Sequence, residues 1–370
     1  MSHAKRLLLL VPLALYAALF AEVYLRLLKP QPMMPRYVTD GGDGIRGNIP
    51  HSTYRHITPE VDVELRINGQ GFRADDDLEI PKPSGVTRIA ILGDSFFMGY
   101  EATLEESFGG QIETQLAARG VRAEVVNLAV SGFGTAESLI ALESRGLAFE
   151  PDLVVLEWHS TDPTDNVRSG LFALDDEGAL VRANPTYLPA IATRDRLMKI
   201  PGYAFLIQHS HLYAALRERA GKFVKDLIVM EMPWQFGSEP EPEAAEASPP
   251  PEAEADRASP ARDPGALDRA LVRRIQQVAR AQGADFVLFD VPLNFSRVEY
   301  ATSLQLLDSD FVASLPVLSP LARFRAEASP DQKLYLEEGA GHWSPRGNTI
   351  AAALVADYVL SGELAPPPAD

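Results

Sequence analysis

The order of apolar patterns along the chain predicts an α/β protein. It would be a three-layer α/β/α domain with a mostly parallel sheet, carried behind one N-terminal transmembrane helix. Three observations predict this. From about residue 60, short β-rich apolar runs alternate with helical stretches to the end of the chain, the order that builds a parallel sheet covered on both faces. A long apolar run stands behind a basic flank at the N-terminus. The one stretch unable to bury a core is a single internal insertion.

The elements follow in order. MSHAKR is a short basic flank, and Leu7 to Phe20 is an unbroken apolar run of 14 residues. Counting on to Leu28 gives 22 residues, enough to span a bilayer with Glu22 and Arg26 near the far interface. Lys5 and Arg6 favour a cytoplasmic N-terminus. With no small-x-small cleavage site after the run, an uncleaved signal anchor is expected, and the rest of the chain outside the cytoplasm. Thr87–Leu92 reads as a buried strand, residues 104–118 as a helix, Glu124–Leu128 as a second strand and 135–147 as a second helix. Leu153–Glu157 is a third strand, and Phe172–Arg182 a hairpin turning at Asp-Glu-Gly. Residues 203–230 and 266–281 read as helices, and Phe286–Val291 as a fourth strand. Ser344 and Pro345 form an N-cap and first turn for a helix to about Leu360. The expected organisation is a stub and anchor over 1–36, one domain built from 37–237 and 265–363, and a tail at 364–370.

Between the two parts of the domain lies 238–264, SEPEPEAAEASPPPEAEADRASPARDP. Its eight acidic and two basic residues give −6 of the formal −17, and it holds seven prolines. Such a segment cannot offset its ordering entropy by burial and is expected to be disordered. A net charge of −17 argues against nucleic-acid partners, which need a basic surface. An apolar fraction of 46% excludes global disorder, and 26 glycines without a repeat exclude collagen. The chain has no cysteine, so disulfides, thiolate metal sites and a cysteine nucleophile are excluded.

Ligands of such sheets bind at the carboxyl ends of the strands, and the residues with chemistry lie there. The first strand ends in Gly93-Asp94-Ser95, which holds a serine at the sheet's upper edge. A serine nucleophile needs a base and oxyanion donors. His342, in GAGHWSPRGN just before the last helix, is the base candidate, since imidazole titrates near working pH. His159 falls at the end of the third strand and is placed to contact a substrate. Among the seven histidines there is no HExxH pattern, and the one HxH pair is His209 and His211. His209 and His211 sit on different sides of a predicted helix, so no metal or other cofactor is expected.

Together these pieces resemble the SGNH (GDSL-type) hydrolase family in its membrane-anchored bacterial form. The resemblance runs through four blocks: INGQGFRADDDLEIPKPSGVTRIAILGDSFFMGYEATLEESF at 67–108, VVNLAVSGFGTAESL at 125–139, PDLVVLEWHSTDPTDN at 151–166, and LYLEEGAGHWSPRGNTIAAALVADYV at 334–359. It implies the SGNH, flavodoxin-like version of the three-layer fold and serine-based ester hydrolysis or acyl transfer. By position, Ser95 matches the nucleophile and its N–H one oxyanion donor. Gly132 matches the second donor, His342 the base and Asp94 a supporting turn carboxylate. Two positions depart from the pattern. Thr161 stands where the family offers an asparagine as third oxyanion donor, and Asn166 lies five residues on. Ala340 and Gly339 stand where the triad aspartate is expected, which leaves Glu337 and Glu338 as nearby carboxylates, with Glu338 the expected orienter of His342.

Three functions compete at this stage. One is an extracytoplasmic serine esterase on an acylated cell-surface carbohydrate or lipid, anchored in a bacterial inner membrane and facing the periplasm or exterior. The second is an O-acyltransferase in exopolysaccharide assembly, with a sugar hydroxyl in place of water. The third is a binding protein that keeps the fold without the chemistry, favoured by Thr161 and Ala340 and opposed by the intact Gly-Asp-Ser and Gly-His-Trp. The sequence names no protein partner.

Overall fold

The computed structural model describes residues 3–35, 38–217, 219–220, 263 and 265–362. The acidic insertion, apart from Asp263, and the 364–370 tail lie outside the described residues. The chain opens with a helix, α1 (His3–Leu28), whose Leu10–Leu28 stretch is long and apolar enough to cross a membrane and is not buried by the rest of the chain. Two small antiparallel hairpins follow, β1 (Val38–Asp40) with β2 (Arg46–Asn48), and β3 (Thr53–Ile57) with β4 (Asp62–Arg66).

The centre is a five-stranded parallel sheet. It contains β5 (Thr87–Leu92), β6 (Ala123–Asn127) and β7 (Leu153–Trp158). After a hairpin of β8 (Phe172–Leu174) and β9 (Leu180–Arg182), it gains β10 (Asp285–Asp290). A further hairpin, β11 (Leu293–Ser296) and β12 (Glu299–Ala301), leads to the edge strand β13 (Val317–Leu318). The spatial order is β13-β10-β7-β5-β6. The register pairs Ile91 with Val155 of β7 and with Asn127 of β6.

Alternation along β5 explains the layers. Ile89 and Ile91 pack on one face with Phe108, Ile112 and Leu116 of α3 (Phe108–Ala117) and with Ile350, Ala351 and Val355 of the last helix, α9 (Pro345–Leu360). Ala90 and Leu92 pack on the other face with α4 (Thr135–Ser144) and α8 (Ala266–Ala281). Both faces of the sheet are covered, so the middles of β5, β7 and β10 are apolar on successive residues, IAIL, LVVL and FVLF.

The structure redraws three expectations. The helix read over 203–230 breaks early: α7 (Tyr203–His209) ends at an extended Ser210, and a separate helical segment covers 211–217. The Glu22 carboxylate of α1 accepts from Ser210 Oγ and from the N–H groups of His211 and Leu212, capping that second segment. The helix read to 147 ends at Ser144 and passes into a 3₁₀ turn, Gly146–Phe149. The anchor-domain boundary at 36 moves towards the N-terminus. Met33 pairs through both backbone groups with Ile57, and the Tyr100 hydroxyl donates to the Met34 carbonyl. Residues 33–35 therefore pack with the domain.

Candidate active site

At the end of β5 the chain turns directly into a one-turn helix, α2 (Ser95–Met98). Asp94 is its N-cap, and its carboxylate accepts the Phe96 N–H at 2.8 Å. The Asp94 N–H in turn donates to Glu157 Oε2 of β7 at 2.9 Å. Position 93 must be glycine for this crossing, because a Cβ there would overlap the Glu157 side chain. The turn is thus held from below, with Ser95 at the carboxyl edge of the sheet.

His342 reaches this edge from the other end of the sequence. Residues 334–344 form a narrow loop closed by Leu336 N–H to the His342 carbonyl (2.8 Å) and Ser344 N–H to the Leu334 carbonyl (2.9 Å). The Ser344 hydroxyl caps α9 through the Gly347 N–H. His342 Nε2 lies 2.7 Å from Ser95 Oγ. Its Nδ1 lies 2.7 Å from Glu101 Oε2, and both side chains are buried. Phe96 packs edge-on against the imidazole, with ring centroids 4.9 Å apart.

Glu101 replaces Glu338 as the acid beside the imidazole. The Glu338 N–H is held on the outer side of the loop by Glu60 Oε2 at 2.6 Å, and Glu337 pairs with Arg297. The Gly-Ala-Gly tip instead wraps around Glu101, whose carboxylate also accepts the N–H groups of Ala340 (3.1 Å) and His342 (3.3 Å). A Cβ at Gly339 would overlap Glu101 Oε1. The missing aspartate and the glycine in its neighbourhood therefore share one explanation, which is that a carboxylate from elsewhere occupies the space. Burial alone would raise the Glu101 carboxyl, but the bonds and charge of His342 and the two N–H groups outweigh it and hold the pKa below the usual carboxylate range.

The Glu101 loop has its own clamp. Arg73, from the first block, is buried and donates to the carbonyls of Met98, Gly99 and Ala102. With no carboxylate among these partners, burial lowers its pKa to about 10. The guanidinium remains charged at neutral pH.

A second loop meets the Ser95 turn. Val130 N–H donates to the Gly93 carbonyl, which brings the second block beside the Ser95 turn. Gly132 follows with φ of +82°, a conformation natural to glycine. Its carbonyl accepts from Arg46 of β2 at 2.6 Å, and Arg46 pairs with buried Glu137 at 2.9 Å. Burial nevertheless raises the Glu137 carboxyl despite this pairing.

Thr161 is exposed, and its hydroxyl lies 3.1 Å from His159 Nδ1. Asn166 lies on the helix that follows β7. Its amide is spent on the Ala136 N–H and on Asp268, tying α4 and α8 to α5 (Asp162–Ser169). His159 stands closer to the chemistry than its role in the sequence suggested. Its ring packs against Phe96 with centroids 5.1 Å apart, and Nδ1 is 3.8 Å from Asp94 Oδ2. Burial lowers its pKa, favouring the neutral ring. Beneath these residues, burial and the nearby Asp94 charge push Glu157 well above the ordinary carboxylate range, and burial does the same for Asp162.

Sequence reasoning missed Glu101, Arg73 and Arg46. A signal for Glu101 was present, since it is a lone charge in the apolar run SFFMGYEA directly after the serine. A charge in such a place needs a buried partner. Among the described residues, no group of three or more His, Asp or Glu is arranged to hold a metal ion.

The model of the GDSL-like lipase/acylhydrolase family matches residues 91–349, well over half of the chain. No curated protein matches. Similar solved structures include TesA, at 14% identity, 75% of this chain, 100% of that chain and a TM-score of 0.37. The esterase EstA from Pseudoalteromonas sp. gives 13% identity, 74% and 97% coverage and a TM-score of 0.34. A two-domain esterase active on acetylated mannans gives 11% identity, 77% of this chain, 53% of that chain and a TM-score of 0.37.

Proposed function

The chain belongs to the GDSL-like lipase/acylhydrolase family, and from that premise we propose that it is a serine esterase working through an acyl-enzyme on Ser95, outside the cytoplasm, on an acylated carbohydrate or lipid of the cell surface. The observation that carries this reading is the continuous relay from Ser95 Oγ through His342 to Glu101, with both links at 2.7 Å.

In this reading the Glu101 carboxylate accepts the Nδ1–H of His342 and leaves Nε2 free to take the serine proton. Ser95 Oγ attacks the ester carbonyl carbon while His342 takes its proton. The carbonyl oxygen gains the charge and meets the N–H groups of Ser95 and Gly132. The C–O bond to the alcohol then breaks, and His342 returns the proton to the leaving oxygen. A water molecule, deprotonated by the same imidazole, attacks the acyl-serine; the acyl C–Oγ bond breaks, His342 returns the proton to Ser95 Oγ, and a carboxylic acid is released. The third donor, lost with the family's asparagine, falls to the neutral imidazole of His159, whose Nδ1 takes the Thr161 hydroxyl. An acceptor hydroxyl in place of water gives the acyltransferase version with identical residues. Its support is the family's acylhydrolase chemistry and the N-terminal apolar helix that would keep the domain at a surface rich in glycans and lipids.

The test is labelling with a fluorophosphonate. An adduct on Ser95 that disappears in His342→Ala and falls sharply in Glu101→Gln is expected. Folded protein that takes no adduct would sink the catalytic reading and leave the binding role. Hydrolysis of an acetyl ester with and without an added alcohol, followed by product analysis, separates esterase from transferase.

A further inference from the structure

The segment from α6 (Ile191–Met198) through α7 leaves large apolar side chains uncovered. Ile200, Phe205 and Leu206 are 53%, 65% and 44% exposed, and α7 has no buried residue at all. Exposed groups of this size on one short unit mark an interaction surface. The same unit carries Arg196 and Lys199 exposed, in a chain whose net charge is −17.

Its position is set by α1. Besides the Glu22 contacts with residues 210–212, Arg26 donates to the His209 carbonyl at 2.6 Å, and the Gln31 N–H donates to His211 Nδ1 at 2.9 Å. Glu22 and Arg26 stand six and two residues before Leu28, where the apolar stretch ends. At the helical rise this is about 9 Å and about 3 Å inside that end. Amphipathic helices that lie in a membrane interface sit about 5–10 Å into the headgroup and acyl boundary, with basic residues on the wet side. The bonds to α1 therefore hold α7 at the depth of that boundary.

We propose that the turn between α6 and α7, with α7 itself, dips into the leaflet on the domain's side of the membrane, with Ile200, Phe205 and Leu206 among the acyl chains and Arg196 and Lys199 against anionic headgroups. The partner is the lipid bilayer. The proposal rests on reading α1 as a membrane span. It makes the domain a two-point attachment with a fixed tilt instead of a tethered body.

The absence of cysteine makes the test direct, since single-cysteine variants of the full chain need no background removal. Phe205→Cys, Ile200→Cys, Leu15→Cys and Ile80→Cys would each be labelled with an environment-sensitive fluorophore in nanodiscs containing phosphatidylglycerol. Each is read with and without doxyl-labelled lipid as quencher. Leu15 reports the span, and Ile80, on the loop leading into the amino end of β5, reports the far side. Quenching at 200, 205 and 15, but not at 80, is the expected result. Quenching at 15 with position 205 as unquenched as position 80 overturns the proposal while leaving the anchor intact. A blue shift at 205 without quenching points to a protein surface and also overturns it. No quenching at 15 removes the span itself, and the proposal with it.

Discussion

At the scale of single residues, the acid is the point on which the catalytic reading turns. Replacing Glu101 with glutamine keeps the shape but no longer fixes the Nδ1–H tautomer of His342. A change of this kind costs about 10⁴ in kcat where the triad acid is an aspartate, and a loss of about 10³–10⁴ is expected here. Glu338→Ala should leave kcat within about twofold, since only its N–H is engaged near the loop. Steady-state kinetics on an acetyl ester decide between the two carboxylates. If Glu338→Ala is the crippled variant, the assignment of Glu101 is wrong. Gly339→Ala offers a second route to the same point. The new Cβ displaces the Glu101 carboxylate from its bonds to Ala340 and His342, so activity should fall by orders of magnitude, and the melting temperature should fall with it because a buried pair is broken. Ser95 and His342 were legible in the sequence because each sits in a local motif that explains itself. Glu101 was not, because its contact with His342 spans 241 residues, and no local pattern shows which distant loop will fill a gap left by Ala340 and Gly339.

At the scale of elements, the strands were legible for the reason that makes them stable: β5, β7 and β10 are buried on both faces, and each centres on an apolar run, IAIL, LVVL and FVLF. The small hairpins before β5 were not, because strands of three to five residues carry little pattern. Yet Arg46 of β2 is what holds the Gly132 turn. The end of β7 carries the clearest pH dependence. Glu157 has a raised pKa in the folded protein, so the folded state holds its proton more tightly than the unfolded chain does. Its contribution to stability is full below the unfolded value of 4.5 and is lost as pH rises through the raised folded value. Asp162 acts in the same direction from its ordinary value of 3.8. Thermal melts from about pH 5 to about pH 9 should therefore show the wild type losing stability towards alkaline pH. Glu157→Gln keeps an acceptor for the Asp94 N–H and removes one of the two titrations, so its melting temperature should fall less over the same range. Parallel curves for the two proteins would show that Glu157 is ionised throughout.

At the scale of the whole molecule, the N-terminal helix and the residues after it are not joined to the domain by a free linker. Composition places a boundary near residue 36, where the apolar run is over and the prolines of KPQPMMP have passed. The fold carries the domain back to Met33, which is buried to 6% exposure and completes a two-bond pairing with Ile57. The Met34 carbonyl accepts the hydroxyl of Tyr100, the residue next to Glu101, and the Pro35 carbonyl faces buried His56, whose other ring nitrogen faces the Tyr100 carbonyl. Burial lowers the His56 pKa to about 4 despite these two carbonyls, so at neutral pH the ring is uncharged and its position depends on packing and a single donated bond. A soluble chain beginning at residue 37 loses the buried methionine, worth about 1.5–3 kcal/mol, and the Met34 carbonyl that accepts from the Tyr100 hydroxyl, worth about 1 kcal/mol more. For a domain of this size that is a drop of roughly 5–10 °C in melting temperature relative to a chain beginning at residue 30. Because the loss falls beside Glu101, kcat should drop with it, while KM for a small ester, which touches neither residue, stays near its original value. Differential scanning calorimetry and kinetics on the two chains settle the matter. Equal melting temperatures and equal kcat would mean that residues 30–36 are only a tether, and that the site is held without them.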